Sequence, residues 1–154
     1  MRVQRLAHGV WLGSVRPGPR LTLLGALSLD GMIAAMTIEA ATSAVVFLAS
    51  VQPGLIPALL RLKPNAVIVM ANLCAHRAAT VIKALTKAGC EIRFLPRSCP
   101  DLSPLEPCWS KVKAFFRAKG ARSVEHLNQE AGPALDTITP NDARGCFIHC
   151  GYAL

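Results

Sequence analysis

Residues 93–113 read RFLPRSCPDLSPLEPCWSKVK, and the way this stretch folds decides the architecture around it. Ile92, Phe94 and Leu95 form a short apolar run that Pro96 ends, which predicts a strand. Pro96, Ser98, Pro100, Asp101, Ser103 and Pro104 then crowd a tight loop. A helix should open next, with Ser103 as N-cap, Pro104 at the first helical position and Glu106 three residues after the cap. Leu105, Trp109, Val112 and Phe116 recur at helical spacing and define a buried face. Glu106, Ser110, Lys113 and Arg117 form a second stripe. A carboxylate in the first turn followed by basic residues down one face is the pattern of an acid beside a phosphate track. Taken alone, Glu106 has a plainer use, since an acid there offsets the helix N-terminal dipole.

Working outward from this stretch, the chain reads as alternating strands and helices. Leu21–Leu29 and Met32–Glu39 are apolar runs joined by Asp30-Gly31, a hairpin signal. A helix is predicted over Ser43–Leu62, broken near Pro53, followed by a Lys63-Pro64-Asn65 turn and a buried strand at Ala66–Met70. The next helix turns Ala78, Val81, Ile82 and Leu85 inward and ends at Gly89, after which Glu91–Leu95 forms a strand. Downstream, the glutamate helix runs from Pro104 to about Ala118. Ser123 begins another helix, with Val124, Leu127, Ala131 and Leu135 on one face and a weak point at Gly132-Pro133. Thr139-Pro140-Asn141-Asp142 is a cap with proline at the first helical position, opening a short helix to Cys150. Residues 1–20 are rich in Arg, Gly and Pro without a sustained period and predict an irregular basic arm.

The net charge of +8 over 154 residues favours a polyanionic partner such as nucleic acid. The six cysteines show no CxxC pair and no disulfide framework, which predicts reduced thiols in a cytoplasmic protein. Cys146, His149 and Cys150 are three potential zinc ligands within five residues with no second cluster, a weak metal signal. From Ala40 to Leu60 no residue is charged, nearly the length of a membrane span, but Gln52, Pro53, Gly54 and Pro57 interrupt it. A core helix is the expectation there, and a small membrane protein the lesser alternative.

The segment from the strand through PDLSPLEPCWSKVK resembles the signature of mariner-like DDE transposases of bacterial insertion sequences. In that family a "PDLNPIE…W…K" segment carries the last acid of an Asp-Asp-Glu metal site. Asp101, Leu102, Pro104, Glu106, Trp109 and Lys113 match, while Ser103 and Leu105 stand where Asn and Ile are usual. The resemblance extends from about Leu21 to Tyr152. It implies an α/β, ribonuclease H-like fold of the integrase/transposase type, a mixed sheet flanked by helices. In intact relatives it implies Mg²⁺ or Mn²⁺, transposon-end DNA, and DNA cleavage with strand transfer.

The same resemblance implies losses. Nothing before the hairpin matches the family's opening strand, so residues 21–154 are expected to be a partial DDE catalytic domain lacking its first strand. The edges thereby left unpaired would favour self-association. The family's second acid ends a strand as "MDN" followed by a histidine, whereas this chain has Met70-Ala71-Asn72 and then His76. A two-metal mechanism holds its cations about 4 Å apart between carboxylates. Alanine coordinates nothing, Asn72 offers a neutral carbonyl, and His76 is a softer ligand, expected as a cap or surface residue. Asp30 belongs to a turn, Asp101 to its own loop, and Asp136 and Asp142 to the last helices. Glu106 is therefore the single retained catalytic and metal-site acid, with the first acid absent, no metal expected to bind, and the chain expected to be inactive. Arg97, Lys111, Lys113 and Arg117 are the expected nucleic-acid contacts. A non-enzymatic DNA- or partner-binding protein derived from a transposase is the main alternative.

Overall fold

Thr22–Ser28 is buried at every position, which a strand achieves only inside a sheet covered on both faces. The computed structural model shows those neighbours. It describes residues 9–15, 17, 21–39, 43–62 and 65–154, with residues 9–15 and 62 described by backbone alone. Strands β1 (Gly9–Val15), β2 (Thr22–Ser28), β3 (Gly31–Ile38), β4 (Val67–Met70) and β5 (Glu91–Phe94) form one sheet in the order β3-β2-β1-β4-β5. β1, β2 and β3 pair antiparallel, whereas β4 runs parallel to β1 and β5 parallel to β4. Helices α1 (Ala44–Ser50), α2 (Ile56–Leu62) and α3 (Ala79–Lys87) follow in their places, and α4 (Leu105–Lys119), α5 (Val124–Asp136) and α6 (Pro140–His149) close the chain.

The period-two alternation of a strand splits the core into two layers. Leu21, Leu23 and Leu27 join Val69 under Leu105, Trp109, Val112 and Phe116 of α4 and under residues of α5 and α6. Leu24 and Ala26 join Ile68 and Met70 under Phe47, Val51, Leu55 and Leu59, with Val81 and Leu85 of α3. The expected α/β plan, a mixed sheet flanked by helices, is what forms.

One expectation is corrected by the sheet itself. Within the supposed irregular arm, Gly9–Val15 is a strand, and it fills the central place expected to be empty. It pairs with β2 from Trp11↔Leu27 to Val15↔Leu23, and with β4 from Gly9↔Val67 to Leu12↔Met70. The physical reason lies in its neighbours. β2 and β4 each turn a row of backbone donors and acceptors toward this gap, and one inserted strand satisfies both. The edges on which the expectation of self-association rested are thus paired. Residues 1–8, 16 and 18–20 of the expected arm, 40–42 at the start of the uncharged run, and 63 and 64 of the expected turn lie outside the described residues.

The helical run Ala44–Arg61 has the length and apolar composition of a membrane span, yet Phe47, Val51, Leu55 and Leu59 pack into the core. Ser43 caps it, its hydroxyl accepting the Val46 N–H at 3.2 Å. The break foreseen at Pro53 is a widened π-helical turn, Val51–Leu55, because a proline without an N–H cannot hold the regular ladder. Gly132-Pro133 does not interrupt α5, which continues to Asp136.

What sets α4 on the sheet is the meeting of Trp109 and Gly25. A Cβ built on Gly25 would lie 2.6 Å from the Trp109 ring and 2.5 Å from the Met32 methyl. The missing side chain on β2 is therefore the seat of a fully buried indole. Gly25→Ala should destabilise the fold by about 1–3 kcal/mol through overpacking, and Trp109→Ala by about 3–5 kcal/mol through the cavity it leaves. Denaturant unfolding of the two variants checks both. A neutral Gly25→Ala would show that the ring can shift, and that the close approach does not set the position of the helix.

Candidate functional site

β4 and β5 end side by side and parallel, so the loops that leave them, 71–77 and 95–104, enclose a cavity at their carboxyl ends. This is the position where open α/β sheets place their sites. The cavity has a volume of about 500 Å³ and is lined by Ala71, Asn72, His76, Arg77, Arg97 and Glu106 among others. Glu106 lies in the first turn of α4, reached through the short Pro100–Leu102 turn and a hydrogen bond from its N–H to the Ser103 carbonyl (3.1 Å). The loop is held from the far end of the chain: the Tyr152 hydroxyl donates to the Leu102 carbonyl at 2.6 Å. A second, shallower cavity of about 360 Å³ lies on the other side of Glu106, bounded by Asp101, Ser110, His149 and Cys150.

The residues singled out from sequence divide into two groups. Glu106, Ala71 and Arg97 come together around the main cavity. Lys113 and Arg117 continue the Glu106 stripe along the exposed side of α4, outside that cavity. Lys111 faces elsewhere, donating to Asp142 Oδ2 at 2.7 Å and to the Thr137 carbonyl at 2.7 Å. Its ammonium is committed to the start of α6. The cap expected there from sequence forms, and the structure adds that Thr139 and Asp142 cap reciprocally. The lysine, with the Thr139 N–H and hydroxyl, holds the Asp142 carboxyl down to about 2 from an ordinary 3.8.

His76 is corrected from a cap or surface residue to a buried one. Its Nδ1–H donates to the Ala71 carbonyl at 2.9 Å, and its ring stacks on Phe47 with centroids 4.6 Å apart. That tautomer leaves a lone pair on Nε2, which is buried without a partner among the described residues. Burial lowers its pKa below the ordinary 6.5, the Ala71 hydrogen bond opposing it only in part. A neutral ring bracing the β4 loop is the result. Cys146, His149 and Cys150 do not form a metal cluster. Among the described residues no three His, Cys, Asp or Glu side chains are arranged to hold an ion.

Sequence reasoning missed Arg77. Its guanidinium donates to Asn72 Oδ1 at 3.1 Å and lies 5.8 Å from the centre of the Phe94 ring. The Asn72 side-chain carbonyl thereby accepts from a guanidinium, and a positive charge stands where cation ligands would be wanted. The signal was a basic residue directly after His76, in the loop that follows the second-acid position. The donor set does not fit a two-cation site. Glu106 is the one carboxylate lining the main cavity among the described residues, and the β1 sequence GVWLGSV contains no acid. Two arginines line the same space.

A central strand flanked by an antiparallel hairpin and two parallel strands, with helices on both faces, is the ribonuclease H-like architecture of transposase catalytic domains. The chain belongs to the DDE superfamily endonuclease family, whose model matches residues 12–128. Its fold is similar to the crystal structure of the catalytic domain of Mos1 mariner transposase, with a TM-score of 0.70 at 16% identity over 97% of this chain and 85% of that one. The Mos1 mariner paired-end complex with Mn matches with a TM-score of 0.72 at 17% identity, over 94% of this chain and 53% of that one. The Mos1 catalytic domain with Raltegravir and Mg matches with a TM-score of 0.64 at 17% identity, over 97% and 86% of the two chains. The chain thus spans about half the length of the transposase in the paired-end complex. No curated protein sequence matches it.

The Lys111–Asp142 pair yields a pH test. A carboxyl whose folded pKa lies below its unfolded value stabilises the fold fully above that unfolded value, and the contribution is withdrawn as pH falls through the folded one. The stability difference between the unmodified chain and Asp142→Asn should be largest above pH 4 and close as pH approaches 2, within the interval set by 3.8 and about 2. Thermal unfolding of both proteins across that range measures it. A difference independent of pH would mean that the cap geometry matters and the charge does not.

Proposed function

We propose that this chain is a DDE-transposase-type domain that binds duplex DNA through phosphate contacts and does not carry out two-metal strand chemistry. The observation that carries the proposal is the charge of the main cavity: Arg77 and Arg97 line it with one carboxylate, Glu106. Ala71, also in its lining, stands where the resemblance leads one to expect the second acid. A cavity of that sign attracts a phosphate and repels a second divalent cation. Lys113 and Arg117 extend the positive surface along α4, in line with Glu106. Lys111 contributes to the field but not to contact, being tied to Asp142. The reading places the chain in the cytoplasm, with DNA as partner and no resident Mg²⁺ or Mn²⁺. Family descent from transposases of insertion sequences, acting on transposon ends, is the corresponding origin of the surface.

In intact two-metal enzymes the cations activate the nucleophile and stabilise the leaving oxygen. Here the residues present can orient a backbone phosphate through arginine forks, and nothing positions an attacking oxygen in line with a leaving group.

Binding should be insensitive to sequence and steeply salt-dependent. Three phosphate contacts give a log–log salt slope of about −2 to −3. Lys113→Glu with Arg117→Glu should flatten the slope by about 2, as measured by anisotropy of a labelled duplex. Unchanged low-salt affinity in that double variant would remove α4 from the DNA surface.

Restoring the missing acid should recover metal binding without recovering the reaction. Ala71→Asp sets a second carboxylate on the cavity that Glu106 lines, which should allow weak Mn²⁺ binding. That binding should disappear when Glu106→Gln is added. Neither variant should nick supercoiled DNA above background, because β1 brings no acid to the third side. Calorimetry with Mn²⁺ and a plasmid-nicking assay give the two readouts. Metal-dependent nicking by the unmodified chain would overturn the proposal.

A further inference from the structure

The contact between α4 and α6 contains a pair of thiols that the DNA reading does not use. Cys108 lies on the buried side of α4, next to Trp109, and Cys146 lies half-buried on α6. Their sulfurs are 3.3 Å apart, in direct contact, although the residues are 38 positions apart in sequence. The helices that carry them are held in register by the Lys111 bonds to Asp142 and Thr137. Cys150 follows Cys146 by one helical turn, its N–H donating to the Cys146 carbonyl at 3.1 Å. It lines the shallow cavity beside Glu106, so this end of α6 is reachable from solvent. The other cysteines are placed differently. Cys74 is exposed, Cys99 sits in the Pro96–Ser103 loop, and Cys90 packs in the opposite core layer.

We propose that Cys108 and Cys146 form a dithiol site that a small disulfide oxidant of the glutathione class closes into an intramolecular disulfide joining α4 to α6. The chemistry is two exchanges. The more accessible Cys146 sulfur attacks one sulfur of oxidised glutathione, forming a mixed disulfide and expelling one glutathione thiolate. Cys108 then attacks the Cys146 sulfur and expels the second. The two protons lost by the protein thiols pass to the two departing glutathiones, and the two electrons reduce the oxidant's disulfide. Little movement is asked of the fold, since the sulfurs already touch and need approach only to about 2.05 Å. In a reducing compartment such a pair is held open and closes when the poise shifts. Closure fixes the helix that carries Glu106, Lys113 and Arg117 to the C-terminal helix. The inference is independent of whether that surface binds DNA.

The test uses the full chain, reduced and then equilibrated with reduced and oxidised glutathione at graded ratios. Cys99 and Cys108 share one tryptic peptide and Cys146 and Cys150 another, so mapping is done in a Cys99→Ser, Cys150→Ser background. The expected result is loss of two hydrogens in intact mass, a covalent link between those two peptides that reductant cleaves, and a rise in Tm of about 5–15 °C. Cys146→Ser should abolish closure. Cys108→Ser should trap glutathione on Cys146, and Cys108→Ala provides the same readout if serine disturbs the core. Failure to close while exposed Cys74 takes up glutathione overturns the proposal. So does a bridge in the unmodified chain that joins Cys146 to Cys150.

Discussion

The seating of Trp109 on Gly25 is the contact on which the rest of the arrangement depends. A helix that crosses a sheet has two adjustable quantities, its height above the strands and its rotation about its own axis. The indole lying where β2 has no side chain fixes both. Once the rotation is fixed, the helical period distributes the neighbours. Glu106, three residues earlier, turns toward the ends of β4 and β5 and into the main cavity. Lys113 and Arg117 fall in line behind it on the exposed side. Lys111 turns toward α6 and meets Asp142, and Cys108 turns inward to meet Cys146. A rotation of one residue would exchange these roles.

The electrostatics of the cavity follow from a few side chains set on this frame. With an acid at position 71 the loop would hold two carboxylates facing each other, a pairing that is repulsive until a cation is present. Alanine removes that repulsion, and the Arg77 guanidinium stands over Phe94 bonded to Asn72. His76 remains neutral and buried, holding the Ala71 carbonyl. The backbone of the site is therefore braced by groups other than its acids. Its shape does not depend on carboxylates, and its lining carries two arginines beside one glutamate.

How much of this was legible in the sequence depended on how local the determining forces were. The hairpin at Asp30-Gly31, the α6 cap at Thr139 and Asp142, and the phase of α4 are set by residues within a turn of one another, and they appear as read. β1 was not legible. GVWLGSV is interrupted by Gly13 and has no alternation of its own, and it becomes a strand because β2 on one side and the distant β4 on the other both offer it hydrogen bonds. Lys111 read as one more surface cation because its partner lies 31 residues away. His76 read as polar and so exposed, whereas its burial is set by Phe47 from the opposite helical layer. In the candidate site, a motif singles out Glu106 and Ala71, and both line the main cavity. Arg77 was not, since its role comes from the geometry of the loop.

That the fold does not depend on acids at the site has a physical basis. The two core layers are built from aliphatic and aromatic side chains of β2, β4 and the six helices, and none of the core residues in either layer is charged. Catalytic carboxylates at strand ends contribute nothing to that burial, and held close together they oppose folding until a metal neutralises them. A methyl group in the place of such an acid, or a central strand without one, would leave the apolar interior intact. The constraints that maintain the architecture, Trp109 on Gly25 and the double pairing of β1, act on backbone and hydrocarbon. The chemistry required ionised oxygen at three points of a surface. These demands fall on different residues, so one can disappear while the other holds the α4 surface in place.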